Sequence, residues 1–338
     1  SAFVVQAEAK NFDRALALLA AVQLHPAFPA SALDVIKNAY AQQLTGAQSR
    51  PDWTAQLAME SALYPRTDPV REHPTPASVR SITLDDVKAW YARAYRPDLT
   101  TIAVVGNLSP HYVRSEIAKY FGAWRAHGPK PDFHYPRIAM NGPKSVNVPS
   151  ADAKQSTVKL TELLAVHQDD PRFIALELAN TILTGEGTGS ELFDDLRKNT
   201  GYVYSVGSTL DIGKVRSTYQ FTFAADPKNA DIAAARLLAD VRHLQTDLVS
   251  DDELTRAKET VLARSVLPLA SYGSIAAQLL ASASGTRTLE TQAYAKTGGA
   301  WDTLLSITPR QIRDAMARWV RVQDFVRVTI TPQGSAGT

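Results

Sequence analysis

Seven histidines are the first place to look for metal-assisted chemistry in this sequence. His25, His73, His111, His127, His134, His167 and His243 are scattered along the chain. None has a second His three or four residues away, the spacing that sets two imidazoles on one helical face for zinc. Neither H-E-x-x-H nor its inverted form H-x-x-E-H occurs. His25 and His73 each precede a proline, which favours turns. Cysteine is absent, which removes disulfides, thiolate nucleophiles and Cys-bound zinc. These residue types predict no metal site within the chain.

A glycine-rich run, Thr184-Gly185-Glu186-Gly187-Thr188-Gly189-Ser190, invites comparison with a phosphate cradle. It lacks the Lys that a P-loop sets before its Ser or Thr, and Glu186 would repel a phosphate. The run reads better as a turn between two helices. Ser190 can cap a helix over residues 191–198, where Glu191, Asp194 and Asp195 come early and Arg197 and Lys198 late, as the helix dipole favours. Gly201 ends that helix, and residues 202–206 alternate as a strand.

The elements that must position such residues form a repeat. Residues 82–93, opening Ile82-Thr83-Leu84-Asp85-Asp86-Val87, run on through Tyr95-Arg96-Pro97 to an apolar strand at residues 101–105. Residues 307–318, opening Ile307-Thr308-Pro309-Arg310-Gln311-Ile312, run on through Trp319 to a strand at residues 325–330. Each copy predicts a Thr-capped helix with apolar positions three and four apart, a short turn and a β-branched strand. The offset is roughly 225 residues. Nearly the same offset relates residues 3–7 to 221–225, residues 15–19 to 234–238, and residues 31–33 with Lys37 to residues 252–254 with Lys258.

Four landmarks in the same order predict an α+β fold of two homologous domains, the first truncated at its N-terminus. Residues 1–125 form the first, residues 126–145, rich in Pro and Gly, a linker, and residues 146–333 the complete second. Roughly 70 residues of the first copy have no counterpart in the chain. Residues 1–10 alternate like a strand and lack the basic head and apolar run of a secretory leader, so Ser1 reads as an internal point of a longer or processed protein.

Composition sets limits on partners. With 338 residues, 45% hydrophobic, 21% charged and a net charge of +2, the sequence has the profile of a folded protein. Near-neutrality gives no reason to propose nucleic acid or an acidic membrane as partner. The longest apolar runs, residues 15–24 and 232–238, are too short to span a bilayer. A cysteine-free sequence suits a periplasmic or secreted bacterial protein.

Several of these strings together carry a resemblance. Leu183-Thr184-Gly185, Ser190-Glu191-Leu192-Phe193, Leu196-Arg197, Gly201 and Tyr204-Ser205-Val206 resemble the C-terminal-domain signature of the insulinase–pitrilysin metallopeptidases, which include the mitochondrial processing peptidases. Tyr95-Arg96-Pro97-Asp98, Ala103-Val104-Val105-Gly106-Asn107 and Tyr120-Phe121-Gly122-Ala123-Trp124 resemble the end of a family repeat. The resemblance implies a clamshell of homologous α+β domains, each a β-sheet packed with α-helices; only one carries zinc, on H-x-x-E-H and a later Glu. Residues 33–44, where that later Glu would fall, contain none. Zinc is therefore expected outside this chain, in a zinc-bearing N-terminal half or partner subunit.

The resemblance also implies roles for particular residues. Arg197 and Tyr204 match an Arg and a Tyr seven apart that face the zinc, hold the substrate backbone and donate to the oxyanion. Gly185, Gly187, Ser190 and Tyr202 are the expected substrate contacts, and Phe193 could line the same wall. The expected function is the non-zinc C-terminal half of a zinc metalloendopeptidase acting on extended peptides. The alternative is a catalytically inactive, peptidase-like subunit with a structural or regulatory role.

Overall fold

The computed structural model describes residues 2–132, 135–185, 189–285 and 299–333. In chain order the helices are α1 (Phe12–Leu24), α2 (Ala30–Gln48), α3 (Pro51–Leu63), α4 (Pro76–Ser81), α5 (Leu84–Ala94), α6 (Pro110–Phe121) and α7 (Phe173–Thr184). A π-helix (Phe193–Asn199) precedes α8 (Ala230–Thr246), α9 (Asp251–Val266), α10 (Tyr272–Ala283), α11 (Gly299–Ser306) and α12 (Pro309–Trp319). The strands are β1 (Lys144–Ser150), β2 (Ser156–Leu164), β3 (Val203–Ile212), β4 (Ser217–Ala225) and β5 (Val326–Pro332).

The chain divides into two compact units, and neither is one continuous stretch. The first comprises Ser1–Gly46, Pro74–His134 and Leu267–Gly285; the second comprises Ala47–His73, Tyr135–Val266 and Thr286–Thr338. The division differs from the boundary expected from sequence at two helices. The face of α3 that carries Ala55, Met59 and Leu63 packs on Val148, Val326, Val328 and Ile330, so this helix belongs with the second unit. Conversely α10 falls in the first unit. Hydrophobic periodicity marks which face of a helix seeks burial, not which sheet supplies it.

The second unit is built on one sheet, in the order β1-β5-β2-β4-β3. Only β1 and β5 run parallel; β2 runs antiparallel to both β5 and β4, and β3 to β4. Strand β4 alternates strictly, burying Tyr219, Phe221, Phe223 and Ala225. On that face lie α7, α8, α9 and α12; α7, with nine of its twelve residues buried, packs against α9, α12 and β3. Leu163 of β2 joins the opposite face, which α3 covers. Each fully buried Leu or Phe contributes about 1.5–3 kcal/mol relative to an exposed one, so the sheet and α7 dominate the stability of this unit.

The duplication is visible in side-chain hydrogen bonds. Thr83 and Asp86 form a capping box at α5, and Thr308 and Gln311 form the matching one at α12. Lys37 Nζ donates to Ile82 O at 2.6 Å, and Lys258 Nζ donates to Ile307 O at 2.7 Å. The same cation thus fastens the same helix to the same helix start in both copies.

The first unit departs from expectation in its strands. Residues 3–7 and 101–105 have the predicted composition, yet neither pairs into a ladder, and no strand occurs among the described residues of this unit. Phe3, Val4, Val5 and Ile102 are exposed. A pleated segment becomes a strand only where a neighbour takes its backbone N–H and C=O groups. Its helices pack on each other instead, α1 placing Leu16 and Ala20 against Phe121 of α6.

One buried carboxyl lies at the centre of the sheet. Glu162 on β2 has no exposed surface, stands opposite Tyr219 of β4, and accepts from the Arg321 backbone N–H at 3.2 and 3.1 Å. Burial pushes its pKa up to about 8, against the opposing pull of the Arg321 backbone N–H and guanidinium. Folding therefore binds a proton at Glu162 between its usual 4.5 and about 8. The stability this proton provides is complete below the lower value and is lost as pH rises through the upper one. Urea unfolding across that range should show a loss on the order of a few kcal/mol in the wild type. Glu162→Gln should flatten the profile; an equal slope in both proteins would contradict the assignment.

Candidate functional site

Arg197 and Tyr204 are brought together by three departures from regular backbone. The segment after the glycine-rich run starts as a helix and continues as a π-helix. Leu192 and Leu196 point into the core, while Arg197 lies on the exposed side. Thr200 closes the helix: its backbone N–H donates to Asp195 O at 3.2 Å, and its hydroxyl reaches the Asp195 and Leu196 carbonyls at 3.0 and 3.1 Å. Gly201 follows with φ 65°, the left-handed conformation that ends helices and that glycine adopts most easily.

The third departure is a β-bulge. Val203 pairs with Ala225 and Ser205 with Ala224, which leaves Tyr204 as the extra, unpaired residue. A regular strand alternates sides, and the bulge breaks that alternation, so Tyr204 and Ser205 are both exposed. The guanidinium of Arg197 sits 5.9 Å from the Tyr204 ring centroid, and its Nη1 donates to Val203 O at 3.1 Å. The Tyr204 hydroxyl donates to Asp226 Oδ1 at 2.8 Å.

This hydrogen bond is the main reason the phenol's pKa is raised; burial and the Asp226 charge add to it, and Arg197 opposes them. The phenol therefore stays protonated as a hydrogen-bond donor beside a cation. Such a pair can hold a peptide carbonyl and take up negative charge that develops on it. The single phenolic hydrogen is directed at Asp226, so any other acceptor would have to displace that carboxylate to receive it.

The other expected contacts are placed differently. Gly185 follows α7 and donates its N–H to Thr181 O at 2.7 Å. Gly187 lies outside the described residues. Ser190 is buried, and its carbonyl accepts from Asp194 N at 2.9 Å. Tyr202 is half-buried and packs against the core. The pair that meets is Arg197 and Tyr204, joined by Asp226, which sequence reasoning missed. The signal was the hairpin register: Asp226 directly follows Ala225, the partner of Val203.

Among the described residues no three His, Asp or Glu side chains converge on one point. The described donors thus do not fit a zinc ion. No helix among the described residues is long and apolar enough to cross a membrane.

The sequence pattern described as the peptidase M16 inactive domain matches residues 81–261, more than half of the chain. The chain belongs to that family. An uncharacterized zinc protease of Bacillus subtilis, YmxG, is 24% identical over 276 residues, which cover 78% of this chain and 63% of that protein. An uncharacterized zinc protease of Mycobacterium bovis is 29% identical over 185 residues, covering 54% of this chain and 40% of that one. The chain thus spans less than two thirds of the length of these relatives.

Solved M16 structures share the fold. A peptidase M16 inactive domain from Pseudomonas fluorescens superposes with a TM-score of 0.81 at 25% identity, over 96% of this chain and 76% of that one. The periplasmic protease PqqL of Escherichia coli superposes with a TM-score of 0.80 at 18% identity, over 97% of this chain and 36% of that one.

The reversal at Gly201 is open to a direct test. A Cβ there would meet no atom within 4 Å, so the cost of a side chain is the left-handed backbone alone. Gly201→Ala should lower unfolding free energy by about 1 kcal/mol. An unchanged denaturation midpoint would mean that the turn does not need glycine.

Proposed function

We propose that this chain is the non-zinc C-terminal half of a zinc metalloendopeptidase, and that its second unit lends Arg197 and Tyr204 to the handling of an extended peptide. The observation that carries the reading is the exposed guanidinium–phenol pair, 5.9 Å apart, set on a π-helix and a β-bulge. Both irregularities recur beside functional sites, where they aim a side chain that a regular element would bury. Membership of the M16 inactive-domain family supports a partner, because an inactive half implies an active one.

In this reading the zinc-bearing N-terminal half or partner subunit supplies the metal chemistry. Arg197 binds a substrate carbonyl through guanidinium N–H groups, and Tyr204 donates to the oxygen that becomes negative as the peptide bond is attacked. Asp226 holds the phenol in place until substrate arrives. A periplasmic or secreted location accords with the cysteine-free sequence.

A second reading is favoured by one observation: Arg197 and Tyr204 both bond within their own unit, to Val203 O and Asp226. A subunit that had become structural or regulatory could keep these bonds for stability alone. The assembled protein separates the two. In the peptidase, Arg197→Ala and Tyr204→Phe should each lower peptide turnover on the order of 100-fold, as loss of one oxyanion donor does, with little change in thermal stability. Turnover equal to wild type in both variants, or a partner active without this chain, would leave the structural subunit as the function.

A further inference from the structure

Asp195 fastens the π-helix on two sides. Its carbonyl accepts from the Thr200 N–H and hydroxyl, which fixes the turn between Arg197 and Gly201. Its carboxylate forks onto Arg236 of α8, with Nη2 donating to Oδ1 at 2.6 Å. The place of Asp195 therefore decides where Arg197, two residues on, can reach.

Around that fork, carboxyl meets carboxyl. Asp240, one helical turn beyond Arg236 on α8, lies within hydrogen-bond reach of the Asp195 carboxyl, and its Oδ2 is buried with no donor among the described residues. Two carboxylates in contact repel, whereas one proton between them makes a hydrogen bond. Glu191, which opens the same helical segment, is half-buried and faces Asp240 and Glu253 of α9. Glu253 accepts from the Ser250 N–H and hydroxyl at 2.9 and 2.6 Å, bonds that favour its charged form. The cations nearby are Arg236, already forked on Asp195, and His243 of α8 and Arg256 of α9; Tyr202 is the further titratable neighbour of Arg236. On the π-helix itself, Lys198 leans to Asp194 at 3.8 Å. Burial first, then the neighbouring carboxylates, pushes the pKa of Glu191 up to about 7 and that of Asp240 up to about 6, with Arg236 and His243 opposing at Asp240.

We propose that Asp240 and Glu191 are positioning residues for Arg197, a proton-operated latch that holds the π-helix against α8 and α9. With a proton between Asp195 and Asp240, the contact of Asp195, Asp240 and Arg236 is closed, and a neutral Glu191 tolerates Glu253. Without those protons, repulsion draws Asp195 and Glu191 away from α8 and α9, and the turn that carries Arg197 loosens. Both carboxyls hold their protons more tightly in the closed form than free in water, where they titrate at 3.8 and 4.5. The hold is therefore complete below those values and is lost as pH rises through about 6 and about 7. The latch needs neither substrate nor metal; only its consequence for peptide handling rests on the function proposed for Arg197.

Hydrogen exchange of the protein alone tests the latch. The amides of residues 193–199 are compared with those of α7, whose protection follows the stability of the whole unit. Relative to α7, protection of the π-helix should fall on the order of 10-fold between about pH 5 and about pH 8.5. The double variant Glu191→Gln, Asp240→Asn keeps both groups neutral at every pH, and its ratio should stay flat over the same range. An equal fall in both proteins, or a flat ratio in the wild type, would overturn the proposal. Carboxyl titration of the wild type by NMR decides the matter even where the variant folds poorly: an Asp240 that titrates near its usual 3.8 would overturn the proposal as well. Peptide turnover by the assembled protein keeps the two inferences apart. The expected exchange profile, with turnover indifferent to Arg197→Ala, would retain the latch and remove the peptide-handling role.

Discussion

The reversal at Gly201 is the constraint on which the candidate site depends. A regular α-helix followed by a regular strand would leave Arg197 and Tyr204 with no reason to meet. The π-helix turns Arg197 outward while keeping Leu192 and Leu196 in the core. Thr200 takes the carbonyls that the helix leaves unpaired, and the positive φ of Gly201 returns the chain toward the sheet at once. The bulge then sets Tyr204 out of the pleat. Each irregularity gives up regular hydrogen bonding, and the lost bonds are replaced locally by Thr200 and by Arg197 on Val203 O.

That local arrangement needs a fixed frame, and the frame is the pairing of β3 with β4 and of β4 with β2. Asp226 holds the phenol only because Ala225 ends β4 opposite Val203. A slip of one residue in this hairpin would turn every side chain of β3 to the other face. Two buried polar contacts oppose such a slip. Glu162 ties β2 to Arg321 beyond α12, and Arg216, just ahead of β4, forms a forked pair with the fully buried Asp68, Nη1 to Oδ1 at 2.6 Å. The Arg216 guanidinium also lies over the rings of Tyr64 and Tyr135. These contacts fix register more than they add stability, since a buried polar group or ion pair must first repay its desolvation.

Much of this was legible in the sequence, for identifiable reasons. Thr83 and Thr308 announced helix starts because a capping box is local chemistry that needs no tertiary partner. Strands β3 and β5 showed through because their alternation or β-branched content is strong. Arg197 and Tyr204 are singled out by family resemblance, since their residue types alone mark no site. The π-helix was not legible, since over fewer than two turns its acidic-early, basic-late pattern matches an α-helix. The bulge at Tyr204 was hidden because residues 202–206 alternate as a regular strand would. Asp226 could be found only from the hairpin register, which is a property of two strands together.

Residues 3–7 and 101–105 show the deeper limit. Their composition repeats that of β4 and β5 closely enough to reveal the duplication, and yet they form no ladder. The same holds for Leu18 and Val22 against Leu237 and Val241: one pattern, two environments. Periodicity states what a segment can bury; whether it does so depends on the backbone or the apolar layer that meets it. Secondary structure in a β-sheet is in this sense a pairwise property, while helix formation is closer to a property of the segment itself. This accounts for the form of the first unit, whose helices are complete and whose strands are not. It also accounts for why the candidate site, which needs a hairpin in register, is found on the unit that has the whole sheet.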